Sequence, residues 1–238
     1  MPKITFLRPI DQPIGKQRLL NELVACLQSP HYSRFKLAVG FAKVGPLARL
    51  TIPLRKWKES SKKVEGIFGI DQLGTSQQAL KFAFTEFDKV YVTRVASSRQ
   101  ATFHPKLYIF YGDKLAVGFY GSHNLTVGGT ETNFEGGIKI EFDRSIESDE
   151  AIFQELLGCW TCLLPDECPA TEPLTQALLD EYLRYGLLLD ESRPTSKRPS
   201  SPLSTRRATK PAVAGFRVKP PSSLPKEILP EPRGKPAN

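Results

Sequence analysis

The sequence predicts an α/β protein, a mixed β-sheet flanked by helices, followed by a disordered basic C-terminal tail. Three observations carry this. Strand and helix patterns alternate through the first hundred residues, the signature of parallel strands joined by helical crossovers. Two strand patterns then follow one another directly, with Gly112-Asp113 as a tight hairpin signal between them. Beyond Glu191 large apolar residues become scarce, and proline and basic residues take over.

Residues 16–28 place Leu19, Leu20, Leu23, Val24 and Leu27 on one helical face. Phe35 to Phe41 reads as a mostly buried strand. A helix follows from Gly45-Pro46 to about Lys58, with Pro53 arguing for a kink or an earlier end. Val64 to Ile70 is a second strand, and Thr75-Ser76-Gln77-Gln78 opens a helix that runs to about Phe87. Lys89 to Val95, Lys106 to Tyr111, Lys114 to Tyr120 and Gly136 to Phe142 are further strands. A helix spans about Ser148 to Leu164. A last helix spans residues 172–189, with Leu174, Leu178, Leu179 and Leu183 facing inward.

Of 238 residues with formal net charge +8, the tail holds more than its share. From Ser192 to Asn238 eleven Lys/Arg face only Glu227 and Glu231, a net +9, which leaves −1 for residues 1–191. Half of the twenty prolines are there too. Such a segment buries too little to offset chain entropy. The expected division is a folded domain over 1–190 and a disordered, Pro-rich basic tail over 191–238. As a polycation the tail suits DNA or RNA; the competing reading is a solubilising segment or a tether to a protein partner.

No run of 18 apolar residues exists and the N-terminus is too polar for a secretory signal, so the expectation is a cytoplasmic protein without a membrane partner. Cys159-x2-Cys162-x5-Cys168 offers three of the four ligands of a zinc site. Against that stands their place on and just after one amphipathic helix, with Cys26 and the histidines far off in sequence.

Three short pieces carry the chemistry: Phe103-His104-Pro105-Lys106, Gly121-Ser122-His123-Asn124, and Asn133-Phe134-Glu135-Gly136. His104 and Lys106 are two apart at a strand start, so their side chains share a face. Imidazole beside ammonium suits a phosphate: the lysine supplies charge and a neutral ring nitrogen attacks phosphorus or shuttles a proton. Hairpin pairing brings the second piece near the first. Its amide, hydroxyl and backbone hold phosphate oxygens without adding negative charge. Glu135 supplies a carboxylate, the usual partner for fixing a histidine tautomer.

His104-x-Lys106 followed by Gly121-Ser122-x-Asn124 resembles the HKD motif of the phospholipase D superfamily. Leu37-Ala38-Val39-Gly40-Phe41, Gly69-Ile70-Asp71, Gly74-Thr75-Ser76 and Asn133-x-Glu135 resemble its metal-independent nuclease and restriction-endonuclease branch more than its lipid-cleaving branch. The resemblance extends from about Arg34 to Phe142. It implies a phospholipase D-like fold and hydrolysis in two steps through a phosphohistidine on His104, with no cofactor and no metal. Lys106 and Asn124 are implied to stabilise transition-state oxygens, Ser122 to assist as a donor, and Glu135 to orient His104. One motif copy where the chemistry needs two implies a homodimer with a shared site. Nucleic acid, DNA ahead of RNA, is the implied substrate, in restriction or another defence. The alternatives are a lipid phosphodiesterase or a non-catalytic nucleic-acid-binding module of the same fold.

Two departures stand out. Tyr111 occupies the family's aspartate position, with Asp113 two residues on, and the gap from Lys106 to Gly121 is three residues longer than the common spacing. Weaker candidates for substrate contact are His123 and Asp71; a cap or a turn role is the competing reading for Asp71. His31 reads as a surface residue, and Phe119 and Tyr120 as core rather than a base-stacking platform.

Overall fold

A computed structural model describes residues 1–95 and 101–193. The tail beyond 193, and with it the expected disorder, lies outside the described residues. In chain order the elements are β1 (Lys3–Leu7), α1 (Leu19–Gln28), β2 (Arg34–Val39), α2 (Val44–Glu59), β3 (Lys63–Gly69), α3 (Gln77–Glu86), β4 (Lys89–Thr93), β5 (Lys106–Tyr111), β6 (Leu115–Gly121), β7 (Gly137–Asp143), α4 (Glu147–Thr161), β8 (Thr171–Pro173) and α5 (Gln176–Arg184). The strands form one sheet in the order β1-β7-β6-β5-β2-β3-β4-β8. β2, β3 and β4 are parallel, joined through α2 and α3. β5, β6, β7 and β1 continue antiparallel from β2, and β8 closes the other edge antiparallel to β4.

The central strands are covered on both faces, which is why they read as continuous apolar runs. Helices α1, α2, α3 and α5 pack on one face around Leu23, Leu50, Trp57, Phe68, Phe110 and Phe119. Helix α4 packs Phe153 and Trp160 on the other, against Ala38, Ile67, Leu107, Ile109 and Phe142. Each such large side chain contributes about 1.5–3 kcal/mol on burial. No helix among the described residues is long and apolar enough to cross a membrane.

Three local expectations change. Pro53 sits inside α2 without ending it, because buried Leu50, Leu54 and Trp57 hold the turns on both sides against the core. Residues 172–189 are not one helix: 171–173 pair with β4 as an edge strand, and α5 has only nine residues. The edge strand β1 has no counterpart in the sequence reading. It is five residues long, with Ile4 and Phe6 exposed, so no buried run announces it.

The register sets where function gathers. Val39 pairs with Lys106, Gly69 with Thr93, and Gly121 with Gly137. The carboxyl ends of the three parallel strands and the neighbouring ends of β5, β6 and β7 therefore share one edge. In α/β sheets with parallel strands this is where loops converge on ligands.

Candidate active site

His104 lies just before β5, on that edge, and is exposed. Lys106, the first residue of β5, is buried with 5% of its surface exposed. Its Nζ is 2.6 Å from His104 Nδ1 and donates to the His104 carbonyl at 2.8 Å. The expected shared face of the two side chains is thus realised as direct contact. A charged lysine only donates. Nδ1 therefore accepts, and the hydrogen of a neutral ring sits on Nε2. In this state Nε2 is a proton donor; to act as a nucleophile it needs the ring hydrogen moved to Nδ1 and Lys106 turned toward the phosphate.

Burial pulls the Lys106 pKa down to about 8, opposed by the charge of Glu135. Desolvation, and then the Lys106 charge, hold His104 below its ordinary value, which favours the neutral ring. The Phe41 ring meets the imidazole edge-on, centroids 5.3 Å apart. Gly40 makes this close approach possible. A Cβ there would lie 2.8 Å from the Phe103 carbonyl oxygen and 3.1 Å from His104 Cα.

Asn124 enters from the turn after β6. Its Oδ1 accepts from the backbone N–H of Phe41 at 3.2 Å, which fixes the amide and leaves Nδ2 as its donor side. The backbone of the next residue bonds to the same strand end: Leu125 N donates to the Phe41 carbonyl, and Lys43 N to the Leu125 carbonyl. Asn124 is thereby tied to the residues that flank His104.

Ser122 and Glu135 come together across the β6–β7 turn. The Ser122 hydroxyl donates to Glu135 Oε2 in a short hydrogen bond and accepts from Gly136 N at 3.1 Å. Glu135 Oε1 accepts from Asn133 Nδ2 at 3.2 Å. Gly121 allows the crossing, since a Cβ there would fall 2.3 Å from the Gly136 carbonyl oxygen. The carboxylate therefore holds Ser122 and Asn133, while the Nδ1 of His104 faces Lys106. The orienting bond from Glu135 to His104 that the resemblance implied is not among these contacts, and the single hydroxyl hydrogen of Ser122 is engaged by Glu135.

The weaker candidates sort cleanly. His123 is buried behind the turn, 5% exposed; its carbonyl accepts from the Tyr108 hydroxyl at 3.0 Å, and burial lowers its pKa. Asp71 accepts from Val95 N at 3.1 Å and Phe103 N at 3.0 Å, while the N-cap of α3 is Ser76. Asp113 sits in the hairpin at the opposite end of β5 from His104, with the whole six-residue strand between them. His31 is at that far end too, its carbonyl close to Gly112. Phe119 is core as expected, but Tyr120 is 52% exposed. Among the described residues no group of three His, Cys, Asp or Glu side chains is arranged to hold a metal.

Sequence reasoning missed Gln12. It is buried, and its Nε2 donates to the carbonyls of Gly129 at 3.1 Å and Asn133 at 3.2 Å, while its Oε1 accepts from Leu19 N. It pins the turn between Asn124 and Glu135 to the start of α1. A lone glutamine in a polar N-terminal stretch gives no signal of this.

On the open edge of a mixed sheet these groups bring together a buried ammonium, a carboxamide donor and a histidine able to exchange a proton, a set whose chemistry suits an anion. No family model and no curated protein matches the sequence. Among solved structures, the chain is similar to NucT from Helicobacter pylori, at 19% identity over 66% of this chain and 97% of that one, TM-score 0.45. It is similar to Nuc from Salmonella typhimurium, a phospholipase D family member, at 12% identity over 74% and 100%, TM-score 0.47. A third similarity is to phosphatidylserine synthase from Haemophilus influenzae, at 15% identity over 77% and 45%, TM-score 0.44. What the site can do follows from its own groups and motifs.

Proposed function

We propose that the chain is a metal-independent phosphodiesterase of the phospholipase D superfamily, an endonuclease acting on DNA through a phosphohistidine, with its active site completed by a second copy. The observation that carries this is the His104–Lys106 contact beside the Asn124 amide. Lys106 and Asn124 Nδ2 hold non-bridging phosphate oxygens and stabilise the charge that develops there. Once Lys106 has turned to the phosphate and the ring hydrogen is on Nδ1, His104 Nε2 attacks phosphorus, forming a P–N bond as the P–O bond to the leaving group breaks. A proton from the His104 of the second copy goes to the leaving oxygen. Water then attacks phosphorus, giving its proton to that second ring, and the P–N bond breaks to restore His104.

A second copy is required because the chain has three histidines, of which His123 is buried and His31 lies at the far end of the sheet. A surface for that copy adjoins the site. Phe6, Ile138 and Tyr120 stand in register across β1, β7 and β6, on the α4 face of the sheet. Phe6 is 74% exposed. The next register pair beyond Tyr120 and Ile138 is Gly121–Gly137, which leads into Ser122 and Glu135. The choice of nucleic acid draws on the restriction-like motifs and on the net +9 of residues 192–238. The test is cleavage of plasmid, single-stranded DNA and RNA in EDTA, with His104→Ala as control. Turnover that needs a divalent metal, or that survives the substitution, refutes the mechanism; choline release from phosphatidylcholine vesicles in place of cleavage redirects the substrate.

A further inference from the structure

We infer that the turn at Asp71–Leu73 is a positioning device for His104, with Asp71 as its principal residue. This rests on His104 as the reacting group and assigns Asp71 neither substrate contact nor a capping role.

The turn follows β3 on the active-site edge. One carboxylate accepts two backbone N–H groups, Val95 through Oδ1 and Phe103 through Oδ2. Asp71 thereby ties the residue two past the end of β4 to the residue just before His104. Gln72 adds a second tie, its Nε2 donating to Thr102 Oγ1 at 2.9 Å. Lys43, next to the strand end that carries Phe41, reaches the Leu73 carbonyl at 3.4 Å.

The backbone of this turn is unusual. Gln72 and Leu73 both lie in the left-handed region, with φ of 55° and 56°. Neither is glycine, so each is strained by its Cβ, and such residues persist only where surrounding contacts over-determine them. Here the contacts lead to residues 95, 102 and 103, on the chain that enters His104, and to Lys43. Glycine would adopt these angles without that cost. The strained geometry aims Asp71 and Gln72 at the backbone and side chain just ahead of His104. Phe103 itself is buried and leaves little slack between the clasp and the imidazole.

Loosening the clasp lets the imidazole move off Lys106 and Phe41 into water. Its titration then moves up toward the ordinary histidine value, because desolvation and the Lys106 charge hold it down in the intact site. A clasp with a structural role alone lowers thermal stability and leaves that titration where it was.

The experiment is NMR titration of the histidine ring signals in the full chain without substrate, for wild type, Asp71→Ala and Asp71→Asn, with His31 as internal control. The asparagine variant keeps one acceptor oxygen, so it tests the idea should the alanine variant fail to fold. The expected result is a His104 midpoint raised in Asp71→Ala and raised by less in Asp71→Asn, with His31 unchanged. Exchange of the Val95 and Phe103 amides should rise by about tenfold or more. Faster exchange with an unmoved His104 midpoint overturns the positioning role, and so does unchanged exchange. Because no turnover is read, a chain that shows these shifts yet cleaves no phosphodiester would refute the proposed function and leave the clasp standing.

Discussion

Lys106 Nζ rests 2.6 Å from His104 Nδ1, and the lysine is almost wholly buried. Among the described residues no carboxylate forms an ion pair with it; Glu135 acts on it only as a nearby charge. A buried ammonium without a bonded counter-ion costs stability, and on the proposed function a substrate phosphate would supply the missing charge.

Lys106 should therefore govern phosphate affinity at alkaline pH. Its pKa lies near 8, so its charge is present below that value and lost as pH rises through it. Binding of an uncleavable oligonucleotide should weaken by about tenfold between pH 7 and pH 9.5, as expected for loss of one charge-assisted contact. Lys106→Arg should hold affinity flat across that range, because guanidinium stays protonated. An oligonucleotide affinity of wild type that is level to pH 10 would contradict the assignment. Lys106→Met should leave Tm unchanged or a few degrees higher while reducing turnover by at least about 100-fold, the pattern of a group kept for function at a cost in stability.

Gly40→Ala probes the packing behind His104. The new Cβ meets backbone atoms of Phe103 and His104 that cannot rotate aside. The expected cost is about 1–3 kcal/mol of stability, read by chemical denaturation. Displacement of the imidazole should lower kcat by about 100-fold with KM little changed. A variant as active as wild type would show that the loop before β5 yields freely.

Glu135→Gln separates two roles for the carboxylate. If Glu135 serves Ser122 and Asn133, as the hydrogen bonds show, glutamine retains an acceptor and kcat should fall by less than about tenfold. Removing its charge also removes what raises the Lys106 pKa, so the alkaline loss of affinity should begin at lower pH. A collapse of turnover with no movement of that limb would instead indicate that the carboxylate acts on histidine, within the chain or across to a second copy.

Phe6→Asp places a charge at the β1 end of the Phe6–Ile138–Tyr120 row. Sedimentation should show the wild-type chain as a dimer and the variant as a monomer, with cleavage lost and the far-UV spectrum retained. A dimer that persists in Phe6→Asp, with full activity, would move the interface elsewhere.

What is local was legible in the residues alone. Period-two alternation put His104 and Lys106 on one face, the hairpin signal put β5 beside β6, and the three short pieces supplied the side chains of the candidate site. The apolar runs of β2, β3 and β5 and the helical faces of α1 and α4 were legible because burial repeats with the period of each element. Other features arise from long-range contacts. Gln12 reaches Gly129 across 117 positions, and Asp71 reaches Phe103 across 32, through backbone groups that any residue carries. Glu135 could be named as a carboxylate near the site, but the β6–β7 crossing decided that it grips Ser122. Tyr120 was read as core, yet it is half exposed, because helix α4 covers that face of the sheet only in part. Side-chain type and spacing fix which groups can react; which neighbour each one faces depends on contacts between distant segments, and no local pattern encodes those.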